Sequence, residues 1–332
     1  MLFFVTNRRI RNGQYDDEER SRHKFDYLYD YQNLGSGKDK FKSKGKKAFE
    51  ISMLKELNNL RDNQNITRPR IGIYIHGYNN NYQESIDELF DLEKNLSDVL
   101  GYKPVLIGFS WPSSGKFTHY LSDREEVRDS VPAFTKFLVD ANEFITRNAP
   151  HCFAHSFLIA HSMGNYLLRK GMEYLSEDLG WPSERNIFNE TIMIAPDIEA
   201  RAIEKNGKGK HIAQLSRRVH VYYSKHDDII LASRIKHLFE NRLGRHGAED
   251  YENIARNIVV INAKKYANEN KLTKLKTRSR ENVSVHASYK YETNILKDIA
   301  NVLFGIDRDE IKNRGKIVDS DYKFRHNHYE LI

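Results

Sequence analysis

Seven short apolar runs are spread along the chain, and hardly any alternates with polar residues. They are LFFV (2–5), IGIYI (71–75), VLIGF (105–109), FLI (157–159), TIMIA (191–195), VHVYY (219–223) and IVVI (258–261). A strand that is apolar on both sides needs cover on both sides, which is the situation of a parallel sheet sandwiched between helices. Longer stretches with helical periodicity lie between the runs, at 82–100, 125–147, 163–175 and 229–241, with a last one at 293–304. This alternation predicts an α/β architecture, with a mostly parallel central sheet and helices on both faces.

Neither an internal repeat nor a clear linker divides the 332 residues. Residues 1–305 therefore read as one domain, with 8–70 a polar lead-in and 264–285 containing a basic insert. Residues 306–332 read as a polar C-terminal tail. Cys152 is the single cysteine, so an intramolecular disulfide and a zinc site of clustered cysteines are both excluded. The sequence suggests no metal or cofactor. The apolar run at the N-terminus is too short for a secretory signal, and no run has the length of a membrane span, so a cytoplasmic protein is expected.

The net charge is +7 and the pI about 9.1, but the basic residues are dispersed. The two denser stretches, GKDKFKSKGKK (37–47) and KLTKLKTRSR (271–280), lack the interleaved aromatics of a base-stacking surface. They read as solvated loops, which argues against a nucleic-acid partner and leaves an anionic membrane surface as a candidate for peripheral contact. Nothing in the sequence fixes an oligomeric state.

The most informative segment is FLIAHSMGNYLLRK (157–170), in which a buried strand runs into Ala160-His161-Ser162-Met163-Gly164 and then into a helix. Small residues two before and two after a serine let strand and helix pass closely. The sharp turn between them thrusts the hydroxyl out of the sheet, as in a nucleophile elbow. The helix N-terminus adds its dipole and N–H groups to the site. Three other strand ends carry polar groups. IHGYNNN follows the run at 71–75, APDIEA follows TIMIA, and KHDDIILAS follows VHVYY. Asp227, its neighbour Asp228 and the earlier Asp197 are the candidate acids at these ends. Of the fourteen histidines, His286 in ENVSVHASYKY lies beyond the last apolar run and before the last helix. His237, His246, His326 and His328 fall in or near a helix or in the tail.

Taken together, these segments resemble a bacterial branch of the α/β-hydrolase superfamily. The match runs through LFFVTNR, IYIHGYNNNYQESI, FSWPSSGKFTHYLSDREEVRDS, IAHSMGN, APDIEA and DDIILAS in order. The resemblance implies an α/β-hydrolase fold and a triad in the chain order serine, acid, histidine: Ser162, Asp227 and His286. Asp197 is the alternative acid. It also implies an oxyanion hole made by the backbone N–H groups of Tyr78 and Met163. His76, Gly77, Trp111, Phe117, Tyr120 and His161 would then surround the pocket. The expected substrate is a small-molecule or lipid ester, with phospholipid the sharper possibility. A catalytically silent binding protein of the same fold, or a peptidase or thioesterase using the same triad, are the competing readings.

Overall fold

The computed structural model describes residues 1–19, 27–32, 45–114, 119–152, 155–181, 186–236, 240–272, 277–278, 282–318 and 324–332. The strands are β1 (Leu2–Thr6), β2 (Arg8–Arg11), β3 (Gln14–Glu19), β4 (Leu28–Gln32), β5 (Arg70–Ile75), β6 (Val105–Ser110), β7 (His155–His161), β8 (Phe188–Ile194), β9 (Ser216–Tyr223), β10 (Ile258–Asn262), β11 (Arg314–Val318) and β12 (Phe324–Leu331). The helices are α1 (Lys46–Gln64), α2 (Tyr82–Leu100), α3 (Tyr120–Cys152), α4 (Gly164–Glu173), α5 (Ile212–Leu215), α6 (Asp228–Lys236), α7 (Leu243–His246), α8 (Glu269–Leu272) and α9 (Thr293–Leu303).

Ten strands form one sheet in the order β11-β12-β10-β9-β8-β7-β5-β6-β1-β4, while β2 and β3 pair separately. Every pairing from β1 through to β12 is parallel, and only the edge strands β4 and β11 run antiparallel. All seven apolar runs are strands of this sheet, and their pleat serves two layers. On one face Phe3 packs edge-on against Phe49 of α1 and Phe109 stacks on Phe137 of α3. From the other face, Tyr74 bonds Glu88 of α2 and Gly108 lies against Leu89 of α2. The chain leaves β5 toward β6 on one side and returns to β7 on the other. The sheet order thus reverses between β5 and β7, which is where open α/β sheets bind ligands.

Two segments that read as irregular are structured. Within 8–70, the chain forms the β2–β3 pair, adds β4 to the sheet edge and contributes the whole of α1. The buried residues of α1 are Phe49, Met53, Leu57 and Leu60, a narrow stripe on a mostly polar helix whose Ile51 faces solvent. Residues 306–332 form β11 and β12 and extend the sheet beyond β10 rather than trailing as a tail. Their polar composition suits an edge hairpin. A buried ion pair anchors it: Arg314 of β11 donates to Asp298 of α9 at 2.9 and 2.6 Å, and Tyr222 of β9 donates to the same carboxylate at 2.6 Å. Removing one partner of a buried pair leaves the other charge uncompensated. Arg314→Met should therefore cost about 3–5 kcal/mol in urea unfolding. A loss below about 1 kcal/mol, the range of an exposed pair, would show that the hairpin is not integral to the fold.

Candidate active site

The turn after β7 has the backbone of an elbow. Ser162 adopts φ 52°, in the left-handed region. Such a conformation costs a non-glycine residue on the order of 1 kcal/mol or more unless its surroundings fix it. Here the Ser162 amide donates to the Ile194 carbonyl at 3.1 Å, and the Ser162 carbonyl accepts from Asp197 N at 3.1 Å and Asn165 N at 3.0 Å. Asn165 also donates its side-chain amide to the Ala160 carbonyl at 2.8 Å, closing the turn from behind. The small residues of the motif are required by contact. A Cβ on Gly164 would stand 2.6 Å from the His76 carbonyl oxygen and 2.7 Å from that of Ile75. A Cβ on Gly77 would stand 2.9 Å from the Ser162 Cβ. The loop after β5 is therefore pressed against the serine, with Tyr78 the next residue on one side and Met163 the next on the other.

That loop is held by its own residues. Asn81 caps α2 in a capping box with Glu84, each side chain accepting from the other's backbone N–H at 2.9 Å. Arg8, fully buried at the start of β2, donates to the carbonyls of Asn80 at 3.0 Å and Ser113 at 3.3 Å, and to Ser110 Oγ at 3.0 Å. Asp123 accepts from Ser113 Oγ at 2.6 Å and from Ser114 N at 3.2 Å. The conspicuous polar residues of LFFVTNR, WPSS and YLSDR thus brace one another around the loop. His76 and Trp111, expected as pocket residues, instead face each other in the interior. Their rings stack at 5.0 Å, Trp111 N donates to His76 Nε2 at 3.1 Å, and Trp111 Nε1 donates to the His76 carbonyl at 3.0 Å. With Nε2 accepting, the proton of His76 sits on Nδ1, which lies 2.8 Å from the Gly77 carbonyl.

The histidine and acid candidates separate cleanly. His286 sits in a short 3-10 turn (Val285–Lys290), and its Nδ1 lies 2.8 Å from Asp227 Oδ2. The other oxygen of Asp227 accepts the Ile230 amide at 3.0 Å, so the carboxylate is fixed at the start of α6. The imidazole of His286 lies 4.7 Å, centroid to centroid, from that of His161, the residue before Ser162. Asp197 is engaged elsewhere. It accepts from Tyr120 Oη and Ser233 Oγ at 2.6 Å each and from Arg242 Nε at 2.9 Å. Burial alone would raise the Asp197 carboxyl, but the Arg242 guanidinium and these hydrogen bonds outweigh it and hold the group below the ordinary carboxylate range. Asp228 is 72% exposed and pairs with Arg245. His246 contacts the Arg242 carbonyl, and His328 lies between Tyr223 and Tyr251.

A cavity of about 340 Å³ opens beside His286, lined among others by His226, Ile229, Leu272, Val283 and Val285. Neither Trp111 nor Tyr120 lines it, because Trp111 is buried against His76 and Tyr120 is committed to Asp197. Phe117 lies outside the described residues. Residues that matter here but carry no motif of their own are Arg242, Glu88 and Lys290. The last two sit at ordinary helical and turn positions 202 residues apart in sequence, and only the fold brings them together. No helix among the described residues is long and apolar enough to cross a membrane.

The buried His76 and His220, with the largely buried His155, should make the fold sensitive to acid. Burial pushes His76 down to about 3, assisted by the charge of Arg8, and pushes His155 and His220 each to about 4 against the opposing pull of Glu190. In the unfolded chain these groups titrate near 6.5. Below that pH the unfolded state binds more protons than the native state, so stability falls as pH drops from about 6.5 toward about 4. One pH unit below 6.5, each histidine should remove on the order of 1 kcal/mol. Urea midpoints at pH 7.5 and 5.5 measure this, and equal midpoints would mean that these groups are not held neutral.

An uncharacterized protein of Nostoc sp. is 28% identical to the chain, over 45% of this chain and 44% of that protein, so the match spans less than half of the relative's length. Solved structures similar to the chain include a Pyrobaculum calidifontis esterase, with 13% identity, 72% of this chain and 77% of that chain covered, and a TM-score of 0.34. The phospholipase PlaB of Legionella pneumophila in complex with thio-NAD matches at 12% identity, with 76% and 65% covered and a TM-score of 0.34. Residues 49–290 match the model of the family described as alpha/beta hydrolase of unknown function (DUF900), and the chain belongs to that family.

Proposed function

We propose that the chain is a serine hydrolase that cleaves carboxylic acyl esters. Ser162 is the nucleophile, His286 the general base, Asp227 the acid that orients it, and the N–H groups of Tyr78 and Met163 the oxyanion donors. The observation that carries the reading is the 2.8 Å contact of His286 Nδ1 with Asp227, with the His286 ring packed against His161, the residue before a serine held at φ 52°. With Nδ1–H directed at the carboxylate, the lone pair of Nε2 is left to accept a proton. The hydroxyl of Ser162 attacks the ester carbonyl as Nε2 takes its proton. The tetrahedral intermediate collapses, the alcohol leaves with that proton, and an acyl-enzyme remains. Water activated by the same imidazole then releases the acid.

The cavity beside His286 has both apolar and polar walls, which suits an acyl chain of limited length on a small-molecule or lipid ester. In a series of p-nitrophenyl esters, kcat/KM should rise about fourfold per added methylene until the cavity is filled, the factor expected for one buried CH₂. A series that is flat from acetate upward would remove the cavity from the acyl site. Failure to cleave any ester while amides or thioesters are cleaved would change the bond class.

A further inference from the structure

The mechanism leaves unused a group of polar side chains buried around His161, the residue before Ser162. Lys290 is buried, and its Nζ contacts Glu88 Oε1 and lies 3.1 Å from His161 Nδ1. Glu88 is itself held by Tyr74 Oη at 2.7 Å and Asn80 Nδ2 at 3.2 Å. His161 Nε2 lies 3.0 Å from the main-chain carbonyl oxygen of His286. Burial favours the neutral amine of Lys290, but its contact with the Glu88 carboxylate favours the ammonium. An ammonium has only protons to give, so His161 Nδ1 then accepts and its proton sits on Nε2. The imidazole of His161 therefore donates to His286 O, and its tautomer is set by Lys290. The chain Glu88–Lys290–His161 ends on the backbone of the base, not on an arbitrary loop.

Both ends of the turn that carries His286 are tied to this one ring, since Lys290 is the last residue of that turn. His286 is thus gripped at three points: by Asp227 on Nδ1, by His161 on the carbonyl, and by the His161 ring against its own. His161 immediately precedes Ser162, so the position of base relative to nucleophile passes through a single side chain. Burying a lysine and a glutamate costs stability that well-packed apolar residues of similar size would not. We propose that Glu88, Lys290 and His161 are positioning residues whose joint role is to hold the His286 backbone at the height from which its imidazole reaches Ser162. The inference rests on the serine-hydrolase reading above.

The test is the rate of modification by a fluorophosphonate probe, separated into kinact and KI, together with the thermal melt of each variant. His161→Ala should lower kinact by about tenfold or more, as expected for a slightly misplaced catalytic group, with KI little changed. His161→Gln, which keeps a donor amide facing His286 O, should recover most of the loss. The double variant Glu88→Gln/Lys290→Met removes both charges together, so that neither is left buried alone, and should also lower kinact. If wild type is not modified at all, the serine-hydrolase reading itself fails. If wild type is modified and the cooperatively melting variants react at its rate, only the positioning role fails. It fails too if glutamine at 161 recovers nothing, or if neither His161→Ala nor the double variant folds, since the chain would then support the fold rather than aim the base.

Discussion

If the chain is the proposed serine hydrolase, Ser162→Ala should reduce ester turnover by about four orders of magnitude or more, because without a nucleophile only binding and oxyanion stabilisation would remain. A fluorophosphonate should modify the wild type at Ser162, and the alanine variant should remain unmodified. The substitution is expected to leave folding intact. Alanine is smaller than serine, and the contacts that hold the turn at φ 52° are made by the backbone N–H and carbonyl of residue 162, not by its hydroxyl. Alanine at φ > 0 is already tolerated at the end of the neighbouring strand, where Ala195 adopts φ 43°. Turnover and labelling in Ser162→Ala equal to wild type would move the nucleophile elsewhere and leave the elbow as a packing feature.

The sheet is legible in the sequence where burial is complete. Strands β5 to β10 are covered on both faces, so each appears as a short apolar run whose ends mark the site. Elements covered on one side only leave a weaker trace. The four buried residues of α1 recur at intervals of four, four and three, but exposed Ile51 and half-buried Leu54 blur the stripe, and the hairpin β11–β12 carries too few apolar residues to stand out from a polar tail. The elbow is legible because close packing restricts it locally: Ala160 and Gly164 flank the serine within five residues. The Glu88–Lys290 pair is not, because a glutamate inside an amphipathic helix and a lysine inside a turn are individually unremarkable. The same holds for Trp111. Its place in the sequence suggests a pocket wall, but its side chain turns inward because His76 offers both a stacking face and two hydrogen-bond partners.

The choice of acid is the point at which sequence leaves alternatives and geometry separates them, and it gives a prediction with two opposite signatures. Asp227→Asn keeps the size of the side chain, but its amide nitrogen, if turned toward His286 Nδ1, would force the proton of the imidazole onto Nε2. The base would then point a hydrogen, not a lone pair, at Ser162. Turnover should fall by roughly 10⁴-fold. Stability should change little, since asparagine caps a helix as well as aspartate and can still accept the Ile230 amide. Asp197→Asn should do the reverse. The buried guanidinium of Arg242 would lose its counter-charge, along with part of the hydrogen bonding from Tyr120 and Ser233. That should cost about 3–5 kcal/mol of stability, while the folded fraction turns over at close to the wild-type rate. Measuring kcat per folded molecule and urea midpoints for both variants separates the two roles. A collapse of kcat in Asp197→Asn, with near-normal turnover in Asp227→Asn, would transfer the orienting role to Asp197 and make the contact between Asp227 and His286 a structural one.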